Sequence, residues 1–241
     1  MNGIFERKLT VLTSMCDSTA KMSHWSAFSL FMDLATEHAN ELGVGSDKLG
    51  EKGLIWVASK TKAVFIGRPA FMSKITATTW PEEPQRIRFN RHYTIRDENG
   101  ILIKGKTEWA IIDKQSGKPQ KGDGVYPQEL NYYDNLAVEE PFSRITADFE
   151  NAELIDSYRV KSTDIDLYGH MNNVAYIRAF METLSTVELK KTDIASLEIS
   201  YRIPCFEGDI LRLYRKNADD GIEIVMINSD NKCAAALRVT F

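Results

Sequence analysis

One stretch of the sequence, residues 164–177, gathers side chains that can transfer protons and stabilise negative charge. It reads DIDLYGHMNNVAYI. Asp166 can act as a general base or as a nucleophile, and His170 can relay a proton or hold a water molecule. A lone aspartate or histidine in a turn more often satisfies a local hydrogen bond. Asp166 and His170 precede the start of a helix, where free N–H groups would stabilise a substrate oxygen that becomes negative.

An amphipathic helix follows directly. Its apolar residues recur at steps of three and four, which places them on one face: Val174, Ile177, Met181 and Leu184. The side chain of Asn172 or Asn173 can cap its first turn. The N–H groups of Met171, Asn172 and Asn173, with the positive end of the helix dipole, then point towards the loop that holds Asp166. We expect these three residues to supply the donors for a developing oxyanion.

The pattern D-x-D-x-x-G-H-x-N-N, followed by a tyrosine and an apolar helix, resembles the active-site segment of hot-dog-fold thioesterases. Within that group it is most similar to acyl-ACP thioesterases of the bacterial kind and of the plant fatty-acyl kind. Four further segments resemble the same family, in the family's order: ATEHANELGVG (35–45), GLIWV (53–57), TTWP (78–81) and EWAIID (108–113). The resemblance covers nearly the whole chain.

This resemblance implies a fold, a reaction and a partner. The fold would be α+β, a tandem (double) hot-dog in which each unit wraps an antiparallel sheet around a long central helix. The reaction would be hydrolysis of the thioester of fatty acyl-acyl carrier protein, without metal or cofactor. The partner would be acyl carrier protein with an acyl chain on its 4′-phosphopantetheine. Asp166 and His170 would be catalytic, with Tyr168 in the orienting position.

Two residues depart from the family pattern. Tyr168 stands where acyl-ACP thioesterases usually carry an asparagine, and a phenol offers no amide carbonyl as acceptor. Pro204 stands where they usually carry a glutamate, and proline offers no base. Cys205 matches a cysteine of the plant members, and we expect a buried, reduced thiol there. A non-catalytic acyl-binding protein on the same fold is therefore one alternative, and an acyl-CoA thioesterase is the alternative with the same chemistry.

The rest of the sequence predicts the elements that position this loop. A stripe of apolar residues predicts a helix from Ser23 to about Leu42, ended by Gly43. Alternating or short apolar segments predict the strands: residues 8–13, 54–59, 62–67, 74–79, 86–96 and 101–113, then 157–161, 196–203, 209–215, 222–228 and 233–241. Asn99 and Gly100 predict a hairpin turn between two of them.

The two halves repeat one plan at an offset of 149 residues. The offset aligns Asp17 with Asp166, Met22 with Met171, Phe31 with Phe180, and Asp33 with Glu182. A duplicated unit explains this match, together with the shared order of strand, loop and helix. The first copy has Lys21 where the second has His170. We therefore expect the chemistry in the second copy.

The chain has 241 residues, which allows two domains of about 100–130 residues each. We expect an N-terminal unit over residues 1–115, a turn-rich connection over 116–150 and a catalytic C-terminal unit over 151–241. The family resemblance implies that the N-terminal unit holds the acyl chain against four side chains of its helix, for which plain core packing is the alternative: Trp25, Phe28, Phe31 and Met32. Their bulk favours chains of medium length.

Charge and composition restrict the partners and the compartment. The formal net charge of −4 argues against nucleic acid. Acyl carrier protein is acidic, so a locally basic surface should dock it: Lys60, Lys62, Arg68, Arg86 and Arg88. No apolar run approaches the ~20 residues of a membrane span, and three cysteines are too few for a disulfide framework. We expect a cytoplasmic monomer or homodimer.

Overall fold

The computed structural model describes residues 1–122 and 124–241. They divide into two compact units, Met1–Glu140 (unit 1) and Pro141–Phe241 (unit 2). The division falls inside the connection that the sequence predicts over residues 116–150. Each unit contains five antiparallel strands and one principal helix, which confirms the α+β class.

The described residues of unit 1 form five strands and two α-helices. Their bounds are β1 Phe5–Thr10, α1 His24–Glu41, α2 Ser46–Gly50, β2 Leu54–Phe65, β3 Lys74–Pro81, β4 Phe89–Arg96 and β5 Ile101–Asp113. The strands lie in the order β1-β3-β4-β5-β2, and every neighbouring pair is antiparallel. The predicted hairpin joins β4 to β5, and Gly100 there has a φ of 142°.

Helix α1 begins and ends where the sequence predicts. The Ser23 side chain accepts a hydrogen bond from the N–H of Ser26 and caps the first turn. Gly43, with a φ of 70°, follows the last turn. Within α1, the ring of Phe31 stacks on Tyr93 at 4.5 Å between centroids. Burial of each such side chain stabilises the unit by roughly 1.5–3 kcal/mol.

Besides shifts in strand ends, such as β1 at Phe5–Thr10 where residues 8–13 are predicted, two features of unit 1 differ from the prediction. The two strands expected over 54–59 and 62–67 are one continuous strand, β2, because a register shift between Ala58 and Lys60 absorbs the break in the pattern. The first part of the predicted connection also packs into this unit. Tyr126 and Leu130 are buried in a core cluster with residues of α2 and β5.

Unit 2 repeats the order of strand, helix and strands. Its elements are β6 Glu153–Arg159, α3 Asn173–Met181, α4 Thr186–Lys191, β7 Ser196–Tyr201, β8 Ile210–Ala218, β9 Gly221–Ile227 and β10 Cys233–Thr240. The strands lie in the order β7-β10-β9-β8-β6, all antiparallel.

Helix α3 is shorter than the prediction, which extends to Leu184. It ends at Met181 and is followed by α4, a helix absent from the prediction, whose first turn is closed by a capping box of Ser185 and Glu188. The Asn172 side chain caps α3 by accepting a hydrogen bond from the N–H of Val174 at 2.8 Å. Among the helices in residues 1–122 and 124–241, none has the length and apolar character that crossing a membrane requires.

Candidate active site

The loop of residues 165–171 in unit 2 holds Asp166 in a tight turn just before α3. The N–H of Asp166 donates to the His170 carbonyl at 2.8 Å, and the N–H of Gly169 donates to the Asp166 carbonyl at 3.0 Å. Gly169 has a φ of 81°, a conformation in which glycine meets no steric cost. The loop therefore fixes the positions of the acid and the histidine relative to each other.

The carboxylate of Asp166 is half-buried and oriented by its own loop. Its Oδ1 accepts hydrogen bonds from the N–H groups of Tyr168, at 2.8 Å, and of His170, at 3.3 Å. An aspartate that bonds the backbone two residues ahead is typical of such turns. Within the described residues, no group donates to the second oxygen, Oδ2. This oxygen can accept a proton from a substrate or from water.

The imidazole of His170 is half-buried and lies edge-on against Phe206, with 5.2 Å between ring centroids. Phe206 is 51% exposed and belongs to the loop between β7 and β8. Phe206 is absent from the predicted site, because nothing in its local sequence pattern distinguishes it from other loop residues. Its ring restricts His170 and gives the site an apolar edge.

The helix N-terminus differs from the expectation at two of three positions. The N–H of Met171 donates to the Cys205 carbonyl at 2.8 Å, and the N–H of Asn172 donates to the Asp164 carbonyl at 2.7 Å. Both groups hold the loop in place and are not available to an oxyanion. Asn173 differs, since its N–H has no acceptor within the part of the chain that the structure describes. It is the remaining donor of the predicted set.

Asp164, the other acid of the D-x-D pattern, is a structural residue. It is 2% exposed, and its carboxylate accepts hydrogen bonds from the Tyr158 hydroxyl at 2.7 Å and the Lys161 N–H at 2.8 Å. Arg178 of α3 donates to its other oxygen at 2.9 Å. Burial, and next the hydrogen bond to Asp164, raises the pKa of Tyr158. The network joins β6, the loop and α3.

The residues that depart from the family pattern lie around this loop. Tyr168 is 36% exposed, and Pro204 is exposed in the loop between β7 and β8. Cys205 is fully buried, and burial raises the pKa of its thiol although a hydrogen bond with Tyr176 acts in the opposite direction. A buried thiol with a raised pKa is a poor nucleophile. The geometry therefore supports the interpretation of Cys205 as an inert thiol.

The four residues predicted to hold an acyl chain lie on α1 in unit 1. Phe28 and Phe31 are buried in the core, whereas Trp25 and Met32 are half-buried. A separate cleft of about 250 Å³ in this unit lies around Val44, Lys48 and neighbouring residues, away from these four side chains.

The predicted basic surface is reduced by one residue. Arg68 is only 13% exposed and pairs with the buried Asp17, so it is not available for docking. Lys60 and Lys62 are half-buried on β2. Arg86 is exposed, and so is Arg88, whose guanidinium lies 3.6 Å from Glu108. No group of three or more histidine, cysteine or acidic residues that could hold a metal occurs in residues 1–122 and 124–241.

Two family models match the chain. Residues 2–123 match the acyl-ACP thioesterase N-terminal domain, and residues 148–240 match the acyl-ACP thioesterase C-terminal domain. The chain is 25% identical over 207 residues to a chloroplastic acyl-[acyl-carrier-protein] hydrolase of Cuphea viscosissima, covering 81% of this chain and 50% of that protein. It is 20% identical to a chloroplastic palmitoyl-acyl carrier protein thioesterase of Arabidopsis thaliana, covering 98% and 60%. The chain thus spans half to three fifths of these relatives.

Solved structures establish the same fold. An acyl-ACP thioesterase from Bacteroides thetaiotaomicron superposes with a TM-score of 0.88 at 21% identity, covering 99% of this chain and 98% of that one. A 12:0-ACP thioesterase from Umbellularia californica superposes with a TM-score of 0.84 at 17% identity, covering 98% and 96%. These similarities concern the mixed α/β architecture with its antiparallel strands.

Proposed function

The chain belongs to the acyl-ACP thioesterase family, and we propose that it hydrolyses fatty acyl-acyl carrier protein to free fatty acid and holo-acyl carrier protein. The observation that carries this proposal is the Asp166 carboxylate. One of its oxygens is held by loop N–H groups and the other has no donor in the described chain. His170 lies four residues away in the same closed turn.

In the mechanism that we propose, Asp166 Oδ2 takes a proton from a water molecule while that water attacks the thioester carbonyl carbon. The negative carbonyl oxygen is stabilised by the N–H of Asn173 at the start of α3. Collapse of the tetrahedral intermediate breaks the C–S bond. The thiolate of phosphopantetheine leaves and takes up the proton that Asp166 removed from water, which His170 relays. In the second route that these residues allow, Asp166 attacks the carbonyl directly and water hydrolyses the resulting anhydride.

We propose further that both units are hot-dogs, with α1 and α3 as their central helices, and that α1 supplies the acyl pocket. The aromatic residues of α1 are large, which favours chains of medium length. Because Phe28 and Phe31 are buried, accommodation of an acyl chain requires their side chains to move. The three cysteines are free thiols, which is consistent with the proposed cytoplasmic location.

The carrier can be identified by charge. We expect docking of the acidic carrier protein at the basic residues of unit 1, among which Arg86 and Arg88 are exposed. Because exposed charges are screened by salt, hydrolysis of acyl-carrier protein should fall at high ionic strength. Acyl-CoA hydrolysis should respond less.

The test compares free-thiol release from acyl-carrier proteins of several chain lengths and from the matching acyl-CoAs, at low and at high salt. The double variant Arg86→Glu/Arg88→Glu should lower kcat/KM on acyl-carrier protein by about tenfold, because it reverses rim charges that steer association, and leave acyl-CoA unchanged. Lys190→Glu, at an exposed position of α4, is the control. Equal loss on both carriers would favour an acyl-CoA thioesterase.

The rival from another class is a non-catalytic acyl-binding protein. Tyr168 and Pro204 support it, because they replace the amide and the acid that the family pattern places near the histidine. Such a protein would bind acyl-carrier protein without releasing a thiol.

A further inference from the structure

The loop that holds Asp166 has a close counterpart around Asp17 in unit 1. In both loops the aspartate Oδ1 accepts a hydrogen bond from the N–H two residues later, at 2.8 Å from Thr19 and at 2.8 Å from Tyr168. A 3₁₀ turn precedes each loop. The repeat predicted from the sequence is therefore also a repeat of backbone geometry.

A second pair of loops matches in the same way, at an offset of 136 residues. The matched hydrogen bonds are Met22 N–H to Pro69 O and Met171 N–H to Cys205 O, both at 2.8 Å, and Val11 N–H to Ser73 O and Val160 N–H to Asp209 O, both at 2.9 Å. Each loop also contains a residue in the left-handed region, Met72 with φ 67° and Gly208 with φ 90°. These matches place Arg68 and Pro204 at equivalent positions.

In unit 1, Arg68 neutralises the acid. One of its guanidinium nitrogens, Nη1, pairs with Asp17 Oδ2 and donates to the Met22 carbonyl at 3.2 Å, while Nη2 donates to the Thr19 hydroxyl at 3.0 Å. The Asp17 side chain is 1% exposed. Burial alone would raise the pKa of Asp17, but the hydrogen bonds from Thr19 and Arg68 lower it. Both oxygens of this carboxylate are occupied.

In unit 2, the equivalent position is proline, and Asp166 Oδ2 has no donor among the described residues. We infer that residue 204 is a positioning residue, because its uncharged side chain leaves Asp166 Oδ2 free to accept a proton. An arginine there would form an ion pair with that oxygen, as Arg68 does with Asp17 Oδ2. This inference rests on the proposed function of Asp166. It gives a physical reason why only the second copy of the loop is reactive.

The test is Pro204→Arg, with Pro204→Gln as the uncharged variant of comparable length. Pro204→Arg should lower kcat on acyl-carrier protein by about a hundredfold or more, the range of a lost general base, with KM changed little. Pro204→Gln should keep most of kcat. A crystal structure of Pro204→Arg should show the introduced guanidinium within hydrogen-bond distance of Asp166 Oδ2 and the Met171 carbonyl.

A Pro204→Arg enzyme with wild-type kcat, or a guanidinium turned towards solvent, would overturn the inference. Equal losses in the arginine and glutamine variants would overturn it as well, because shape and not charge would then matter. If the wild type releases no thiol from any acyl thioester, the proposed function fails. The crystal structure of Pro204→Arg still decides the inference in that case.

Discussion

Asp164 offers a test of which acid in the D-x-D pattern supports the fold. Its carboxylate is 2% exposed and accepts hydrogen bonds from Tyr158, Lys161 and Arg178. Breaking a buried charged network by removing one partner costs about 3–5 kcal/mol. The side chain of Arg178 is 41% exposed, so solvent screens that ion pair and the lower end of the range applies. We expect Asp164→Ala to reduce the free energy of unfolding by about 3 kcal/mol.

The assay is urea unfolding followed by far-ultraviolet circular dichroism. Tryptophan fluorescence is unsuitable, because all four tryptophans lie in unit 1: Trp25, Trp56, Trp80 and Trp109. A loss of about 3 kcal/mol corresponds to a fall in Tm of roughly 6–12 °C for a chain of this size.

Two controls separate the network from the site. Tyr158→Phe removes one hydrogen bond to a charged acceptor and should cost about 1.5–3 kcal/mol, less than Asp164→Ala. Asp166→Asn should leave the free energy of unfolding nearly unchanged. A loss below about 1 kcal/mol in Asp164→Ala would refute the assignment of Asp164 as the structural acid, since a buried charged network is expected to contribute more.

Three further predictions concern stability. Burial lowers the pKa of His24 and of His38 from 6.5 to about 4. Because the unfolded chain takes up these protons first as the pH falls, the free energy of unfolding should decrease between pH 6.5 and pH 4. The double variant His24→Gln/His38→Gln should flatten that dependence in urea titrations. Gly105→Ala would place a Cβ well inside van der Waals contact with the ring of Phe31, so it should cost about 1–3 kcal/mol in the same assay. Gly208→Ala, at a φ of 90° with open space around it, should cost about 1–2 kcal/mol from backbone strain alone and leave kcat intact.

Short sequence patterns predicted the elements that interactions between neighbouring residues determine. The stripe after Ser23 gave the long helix α1, and the asparagine before the second helix gave its cap at Asn172. The capping box of Ser185 and Glu188 was present in the sequence and would have revealed α4. The pattern predicts two strands where the structure has β2 alone, because a register shift after Ala58 lets the pairing with β5 continue.

The errors at the site come from partners distant in sequence. The sequence predicts Arg68 on a docking surface, but its carboxylate partner lies 51 residues away. It predicts the N–H of Met171 as an oxyanion donor, but a carbonyl of the loop between β7 and β8 accepts its hydrogen bond. Phe206, likewise, contacts His170 only through the tertiary structure. Residue types predicted the reacting groups, whereas only tertiary structure shows which donors and charges are already used.

The most direct test of the central claim compares Asp166→Asn with Asp17→Asn, the same change in the two copies of one loop. Thiol release from acyl-carrier protein should fall by about a hundredfold or more in Asp166→Asn while Tm changes little. Asp17→Asn should retain kcat but lose about 3–5 kcal/mol of stability, because Arg68 is left without its buried partner. Full activity in Asp166→Asn, or equal loss of turnover in both variants, would contradict the account.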